Sequence, residues 1–388
     1  MPLDLAQAAA ALEQNRPAEA RPLLESATRA NPRDAMAWAL LARTLWILRQ
    51  PGHAEAARRA EMADPGNPNV QHALALYHAQ AGNRKKAAQL EAGYARSATA
   101  DTSAAARAAL LSFEAGDRAE AIALGEIALR RENRAEVRAM LARAYEAAGR
   151  SDDAIAQWTK LVKLRPYSEE THGELGKSLL RAGRFTEATR FLEEARGSFD
   201  KSSQIELALG VAYYSLRRFD DAAGRFLRVI ELEPAIEQPY VFLARMIDQT
   251  PGRVPDLLAR AAEWNGRETA NHFAPFVYAK TLQAAGGGDG AERIEPLLRE
   301  SIRRQPKFWE SHFELAQVLE QRGNLAGAAA EFQAAITLNP KQAAPHYRLA
   351  RVYERLGQKP QAARERAIHA QILEAEKGRP GMAEPVAR

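Results

Sequence analysis

The feature that most constrains the fold is a small residue, usually preceded by Leu, that recurs along the whole chain. The intervals between its occurrences lie between 33 and 37 residues, and most are 33 or 34. Self-similarity at one such period is typical of stacked-repeat architectures and excludes a division into two or three unrelated globular domains. The small residues are Ala8, Ala42, Ala75, Ala109, Ala142, Gly176, Gly210, Ala244, Ala279, Ala316 and Ala350.

A second small residue follows about twelve positions after the first in most repeats. A turn, often containing Gly, lies between the two small residues. Gly is the residue that most readily ends a helix in the left-handed conformation, so each repeat is predicted to be a helix, a tight turn and a second helix. The second small residues are Ala20, Ala87, Ala121, Ala154, Ala188, Ala222, Ala328 and Ala362.

Large apolar residues flank both small positions. Small side chains allow two antiparallel helices to approach closely, and the large residues fill the space on either side. One such hairpin cannot bury its apolar face alone, so we expect each hairpin to stack on its neighbours. In the second helices the large residues are Leu24, Trp158, Leu192, Phe226, Leu298 and Phe332.

The repeat resembles the tetratricopeptide repeat in two well-matched segments. Residues 309–340 carry Leu315-Ala316, Leu319, Gly323, Ala328, Phe332, Ala335 and Pro340, and residues 135–166 carry Leu141-Ala142, Tyr145, Gly149, Ala154, Trp158 and Pro166. The resemblance implies an all-α, right-handed superhelical solenoid of about eleven helix-turn-helix repeats, in a protein of bacterial type. It covers residues 1–376, with irregular repeats near 250–290, and leaves 377–388 as a tail that we expect to be disordered.

Composition limits the function classes. The 388 residues include no Cys, which excludes disulfides and thiolate metal sites. The formal charge of +5 comes from 54 basic and 49 acidic residues, a slight surplus that is not typical of a nucleic-acid-binding domain. No apolar run is long enough to span a membrane, and the N-terminus does not resemble a signal peptide, so we expect a cytoplasmic protein.

Candidate catalytic and cofactor motifs all have simpler structural interpretations. Residues 173–178 end like a phosphate-binding loop, but Gly176 is the small residue of a repeat helix and no strand precedes it. His172, His312 and His346 share one repeat position with Trp38 and Tyr240, which favours packing over metal binding. We therefore expect no catalytic residues, no metal and no cofactor, and a protein that is not an enzyme.

A partner-binding groove is the remaining candidate site. In the tetratricopeptide family the first helix of each repeat lines a concave surface, through its second, fifth, ninth, twelfth and thirteenth positions. Aromatic side chains there supply contact area and Arg binds carboxylates, so the expected ligand is an extended or helical segment of another protein with apolar and acidic groups. The candidates are Arg43, Trp46, Phe113, Arg143, Lys177, Arg181, Tyr214, Arg245, Phe276, Lys280, Phe313, Tyr347 and Arg351.

Several alternatives stay open at this point. Phe276 and Phe313 fit packing between repeats as well as they fit the groove. The leading function is a non-catalytic scaffold or adaptor for protein–protein interaction. The alternatives are an RNA-binding helical-repeat protein and an accessory or regulatory subunit of an enzyme or of a secretion or assembly complex, although no polar position repeats regularly enough to read RNA bases.

Overall fold

The computed structural model describes residues 3–97, 99–286 and 291–377, and these contain 22 α-helices and no strand. The predicted all-α fold of about eleven helix pairs is confirmed. The helices are α1 (Leu3–Glu13), α2 (Pro17–Ala30), α3 (Ala35–Ile47), α4 (His53–Ala63), α5 (Pro68–Gln80), α6 (Arg84–Ala95), α7 (Ala104–Glu114), α8 (Arg118–Arg131), α9 (Ala135–Ala147), α10 (Ser151–Leu164), α11 (Glu169–Arg181), α12 (Phe185–Arg196), α13 (Ser203–Ser215), α14 (Phe219–Leu232), α15 (Gln238–Arg245), α16 (Val254–Arg267), α17 (Phe273–Ala284), α18 (Ala291–Arg304), α19 (Trp309–Gln321), α20 (Leu325–Leu338), α21 (Ala343–Arg355) and α22 (Lys359–Lys377).

Odd-numbered helices are the first helices of the repeats, and even-numbered helices are the second. Every small residue of the first column lies on an odd-numbered helix. Polar side chains begin several of these helices: Asp34 accepts a hydrogen bond from Ala37 N at 3.0 Å, and Ser202 accepts one from Ile205 N at 3.1 Å. Such caps satisfy backbone N–H groups that have no partner within the helix.

The turn between the two helices requires a left-handed residue. Gly149, for example, has φ of 74°, which Gly adopts without strain. The same turn position is filled by Asn15, Arg49 and Arg217, with φ of 57°, 55° and 58°. Those three residues adopt a conformation that costs an L-residue about 1 kcal/mol or more.

The columns of small residues form the helix contacts that the sequence predicts. Ala142, Ala154 and Ala316 are fully buried, and the large residues Trp158 and Phe332 fill the adjacent space at 2% and 0% exposure. The closest approach is at Gly210, where an added Cβ would lie 2.5 Å from the ring of Phe226. Packing of this density leaves no room for a larger residue in the column.

The chain divides into two compact units, residues 1–182 and 183–388. In the first unit, α1 to α11, each second helix packs on its own first helix and on the first helix of the next repeat. First helices of neighbouring repeats also touch one another, as α3 does with α5. In the second unit, α12 to α22, α17 contacts α15, α16 and α18 in the same manner.

The repeat around α15 is irregular. This helix has only 8 residues, and two short 3₁₀ segments, Ile247–Gln249 and Pro251–Arg253, lead into α16. The second irregular stretch that the sequence predicts, the glycine-rich loop, falls largely on residues 287–290, which lie outside the described residues. The predicted tail beyond α22, residues 378–388, also lies outside them.

Two further sequence interpretations concern helices. The segment 173–178, which resembles the end of a phosphate-binding loop, lies inside α11, where Gly176 belongs to the small-residue column. Among the described residues, no helix is both long and apolar enough to cross a membrane.

Candidate functional site

All thirteen candidate groove residues lie on first helices. Their side chains are spread over nine of these helices, so they form two sets, one in each unit. In the first unit they are Arg43 and Trp46 on α3, Phe113 on α7, Arg143 on α9, and Lys177 and Arg181 on α11. In the second unit they are Tyr214 on α13, Arg245 on α15, Phe276 and Lys280 on α17, Phe313 on α19, and Tyr347 and Arg351 on α21.

Most of the cations in the first unit are paired with carboxylates of the same surface. Arg181 Nη2 lies 2.7 Å from Glu146 Oε1, which joins α11 to α9 one repeat earlier. Arg143 Nη2 lies 3.7 Å from Glu170 Oε1, and Lys177 Nζ lies 3.2 Å from Glu174 Oε1. The pair of Arg143 and Glu170 is exposed and contributes roughly 0–1 kcal/mol, so a ligand carboxylate can replace it at small cost, whereas Glu146 and Glu174 are only 20% and 21% exposed.

The candidate cations of the second unit pair with carboxylates of other first helices. Lys280 Nζ lies 2.8 Å from Glu314 Oε1 on the next first helix, and both side chains are largely buried. Arg245 Nη2 reaches Glu310 Oε1 at 3.4 Å, so it spans from α15 to α19 past the intervening first helix α17. This pair therefore joins first helices that are two repeats apart.

The aromatic candidates differ in how much surface they leave free. Phe276 is only 6% exposed and packs edge-on against Phe308, with centroids 5.0 Å apart. Phe313 is half-buried beside Phe332, with centroids 5.8 Å apart. Tyr347 is 48% exposed. Phe276 therefore packs between repeats, whereas the ring contact of Phe313 is with the second helix of its own repeat.

Two half-buried aromatics contact the core of the first unit. Trp46 and Phe113 both pack against buried residues there, Trp46 in the cluster of the first two repeats and the start of the third. The imidazole of His53 stacks edge-on against the Trp46 indole, with centroids 5.0 Å apart. His53 Nδ1 is hydrogen-bonded to Tyr77 Oη at 2.9 Å, which fixes the ring.

Arg43, one turn before Trp46, is half-buried. Its Nε is buried without a hydrogen-bond partner. Burial lowers the pKa of Arg43 below the ordinary guanidinium value, and the charge of Glu13 opposes this shift. Burial of the guanidinium therefore disfavours its charged form.

A cleft lies beside Trp46 at the turn end of the second and third repeats. Its volume is about 760 Å³, and its lining consists of Trp46, Ile47, Arg49, Gln50, Pro51, His53 and Gln80. Sequence reasoning selected Trp46 alone from this set. The available signal was Arg49, which stands at the turn position where most repeats have Gly.

The histidine position has a structural role: His172 Nδ1 lies 2.8 Å from the carbonyl of Ser168, and the histidines of the later repeats contact a proline carbonyl. His312 Nε2 lies 3.1 Å from the carbonyl of Pro306, and His346 Nε2 lies 3.3 Å from that of Pro340. Trp38 Nε1 donates to the carbonyl of Pro32, six residues earlier, with the same geometry at 2.9 Å. These side chains tie the break between repeats to the following first helix.

The same histidines pair with single carboxylates instead of forming a metal site. His312 and His346 place Nδ1 2.7 Å and 2.6 Å from the carboxylates of Glu331 and Glu365. Among residues 3–97, 99–286 and 291–377, no group of three or more His, Asp and Glu side chains is arranged to hold a metal ion.

Comparison with known proteins identifies the repeat. One family model described as tetratricopeptide repeat matches residues 5–68, 174–236 and 288–343, and a second of the same description matches residues 140–166. Together they cover more than half of the chain. No curated protein matches the sequence.

Several solved structures resemble the chain at low identity. A chain of the structure of Naa15/Naa10 bound to HypK-THB is 15% identical, with a TM-score of 0.52 over 94% of this chain and 67% of that one. The APC/C hetero-tetramer Cut9-Hcn1 gives 12% identity and a TM-score of 0.46, with 95% and 86% covered. MamA AMB-1 gives 21% identity and a TM-score of 0.38, with 44% and 93% covered. At such identity the first of these supports the fold alone.

Proposed function

Because this chain belongs to the tetratricopeptide repeat family, we propose that it is a non-catalytic scaffold that binds a segment of another protein along its first-helix surface. The observation that carries the proposal is the side-chain content of that surface. Half-buried aromatics share that surface with arginines and lysines that pair with carboxylates, of which Glu170 is exposed and Glu146 and Glu174 are partly buried. Aromatic and Arg side chains dominate the energy of protein interfaces.

The ligand is a flexible or helical segment with apolar and acidic groups. Acidic groups of the ligand would complement the charges of Arg43, Arg143 and Arg181. Carboxylates of the protein already neutralise Arg143 and Arg181 in part, so the ligand does not need a high negative charge. The affinity is expected to be micromolar, because a flexible segment loses conformational entropy when it binds. The partnership in the structure of Naa15/Naa10 bound to HypK-THB is consistent with this use of the fold.

The experiment is a selection of peptides from a random display library on the full chain, followed by fluorescence polarisation with the selected peptides. The double variant Arg143→Glu with Lys177→Glu reverses two groove charges. The matched control Lys160→Glu with Lys163→Glu makes the same charge change on α10, a second helix, at two exposed positions. We expect the groove variant to weaken binding about tenfold and the control to leave it unchanged. Equal binding by all three proteins would refute the groove.

RNA binding is disfavoured by the same contacts. Arg181, Arg245 and Lys280 each pair with a carboxylate, so a phosphate backbone would have to displace those carboxylates and would meet their repulsion. We expect no mobility shift of mixed-sequence RNA at low salt, where phosphate contacts are strongest. The proposal includes a cytoplasmic location, and fractionation of cells that express the chain tests it.

A further inference from the structure

The cleft beside Trp46 is rigid on the side that a ligand would touch. Trp46 is packed against the core beneath it and against His53, and His53 is held by Tyr77, whose ring is only 3% exposed. The indole therefore needs no reorganisation to receive a ligand. Preorganised aromatic surfaces of this kind bind with little loss of side-chain entropy. A volume of about 760 Å³ accommodates a large side chain together with its flanking backbone.

One arginine lines the cleft, and a second lies one turn before Trp46 on α3. Arg49 contributes its side chain to the lining, whereas Arg43 is not among the lining residues. Arg143 and Arg181 of the first-helix surface are already paired with carboxylates. Arg49 is therefore the cation that a carboxylate of a ligand in the cleft would meet.

Arg49 occupies the cleft from a backbone position that usually carries Gly. Its backbone is in the left-handed region, with φ of 55°, and its side chain lines the cleft. Arg217 has φ of 58° at the equivalent turn of another repeat, in the second unit. The two arginines therefore have the same backbone conformation and the same charge. Substituting each of them in turn distinguishes the effect of the backbone strain on stability from the effect of the cleft side chain on binding.

We infer that the cleft at residues 46–53 is the anchoring site of the first unit, where a bulky apolar side chain of a partner segment packs on Trp46 while a neighbouring carboxylate pairs with Arg49. This inference rests on the proposed function and specifies its ligand. The partner is a protein segment with an aromatic or large aliphatic residue within three positions of Asp or Glu. The apolar contact supplies most of the binding energy, and the carboxylate fixes the register.

The probe is a set of fluorescein-labelled dodecapeptides on an Ala/Ser background. Each carries one Trp, Phe or Leu and one Glu at a separation of one to three residues, and matched peptides carry Lys in place of Glu or Ala in place of the apolar residue. Fluorescence polarisation with the full chain is expected to show about tenfold tighter binding of the Glu peptides than of the Lys peptides. That preference is expected to fall by at least fivefold in Arg49→Gln, and binding is expected to disappear in Trp46→Ala.

The variants Arg49→Gly and Arg217→Gly distinguish binding from folding. Both relieve the left-handed conformation of an Arg, so both are expected to raise the urea midpoint of unfolding. Only Arg49→Gly is expected to weaken peptide binding, by about three- to tenfold, although the protein is more stable. Equal affinities of the two variants would overturn the role of Arg49.

The outcomes separate this inference from the function on which it rests. If no peptide in the set or in the random library binds, both are refuted. If peptides bind and Arg143→Glu with Lys177→Glu weakens them, while Arg49→Gln and Trp46→Ala do not, the cleft is refuted and the groove is retained. Binding of the Lys peptides as tightly as the Glu peptides would refute the carboxylate contact.

Discussion

Gly210 on α13 provides the sharpest test of the packing. Most repeats have Ala at this position, and Ala is favoured over Gly in a helix by about 1 kcal/mol, so helix propensity alone predicts that Gly210→Ala stabilises the protein. The structure predicts the opposite. A Cβ at Gly210 would lie 2.5 Å from Phe226 Cε1 and 2.7 Å from Cδ1, inside van der Waals contact.

The ring of Phe226 has little room to move away. It is fully buried and stacked on Phe242, with centroids 4.8 Å apart and an interplanar angle of 11°. Inserting one methyl into such a core typically costs about 1–3 kcal/mol. Against the propensity gain, we expect Gly210→Ala to lower the free energy of unfolding by about 1–2 kcal/mol.

Urea denaturation followed by circular dichroism measures the effect. Gly266→Ala is the control, because a Cβ added at that exposed helical Gly would have no atom within 4 Å, so this change should stabilise by about 0.5–1 kcal/mol. Phe226→Leu should lower the free energy of unfolding less in the Gly210→Ala variant than in the wild type, because the smaller side chain leaves space for the added methyl group. A higher midpoint for Gly210→Ala would refute the close approach of α13 and α14.

Two further predictions concern the turns and the histidine position. Arg217→Gly should raise the free energy of unfolding by about 1 kcal/mol, because Gly adopts φ of 58° without strain, whereas Gly149→Ala should lower it; urea titration checks both, and equal midpoints would contradict the turn geometry. The hydrogen bond that His312 donates to the Glu331 carboxylate raises the pKa of His312, and burial opposes this shift. The pair therefore stabilises the fold fully below the unfolded pKa of about 6.5, and this stabilisation is lost as the pH rises through the folded pKa. Glu331→Gln should therefore reduce stability more at pH 6 than at pH 9, and an equal loss at both values would contradict the charged pair.

Helix number and register followed from the sequence because one physical requirement repeats. Each hairpin needs a small residue where its helices cross, so the column from Ala8 to Ala350 marks every first helix. Large partners such as Trp158 and Phe332 are then buried by necessity. The histidine position was also interpreted as packing, and the hydrogen bond of His312 to Pro306 supplies the reason.

The state of the candidate site could not be derived in the same way. Sequence spacing places Arg43 and Arg143 at equivalent positions, one residue after the small residue, but the pairing of Arg143 with Glu170 depends on a residue of the neighbouring repeat. The pair of Arg245 and Glu310 joins residues 65 positions apart, which no local pattern encodes. Arg49 was missed because a turn residue was not expected to line a cleft.

The most direct test of the account is to locate a bound peptide. The tightest dodecapeptide of the aromatic–Glu set, carrying benzoylphenylalanine in place of its aromatic residue, is cross-linked to the full chain by light and mapped by mass spectrometry. The account predicts adducts in α3, in the turn at residues 48–52, at His53 or at the end of α5. Adducts confined to the second helices α6, α8 or α10 would contradict it.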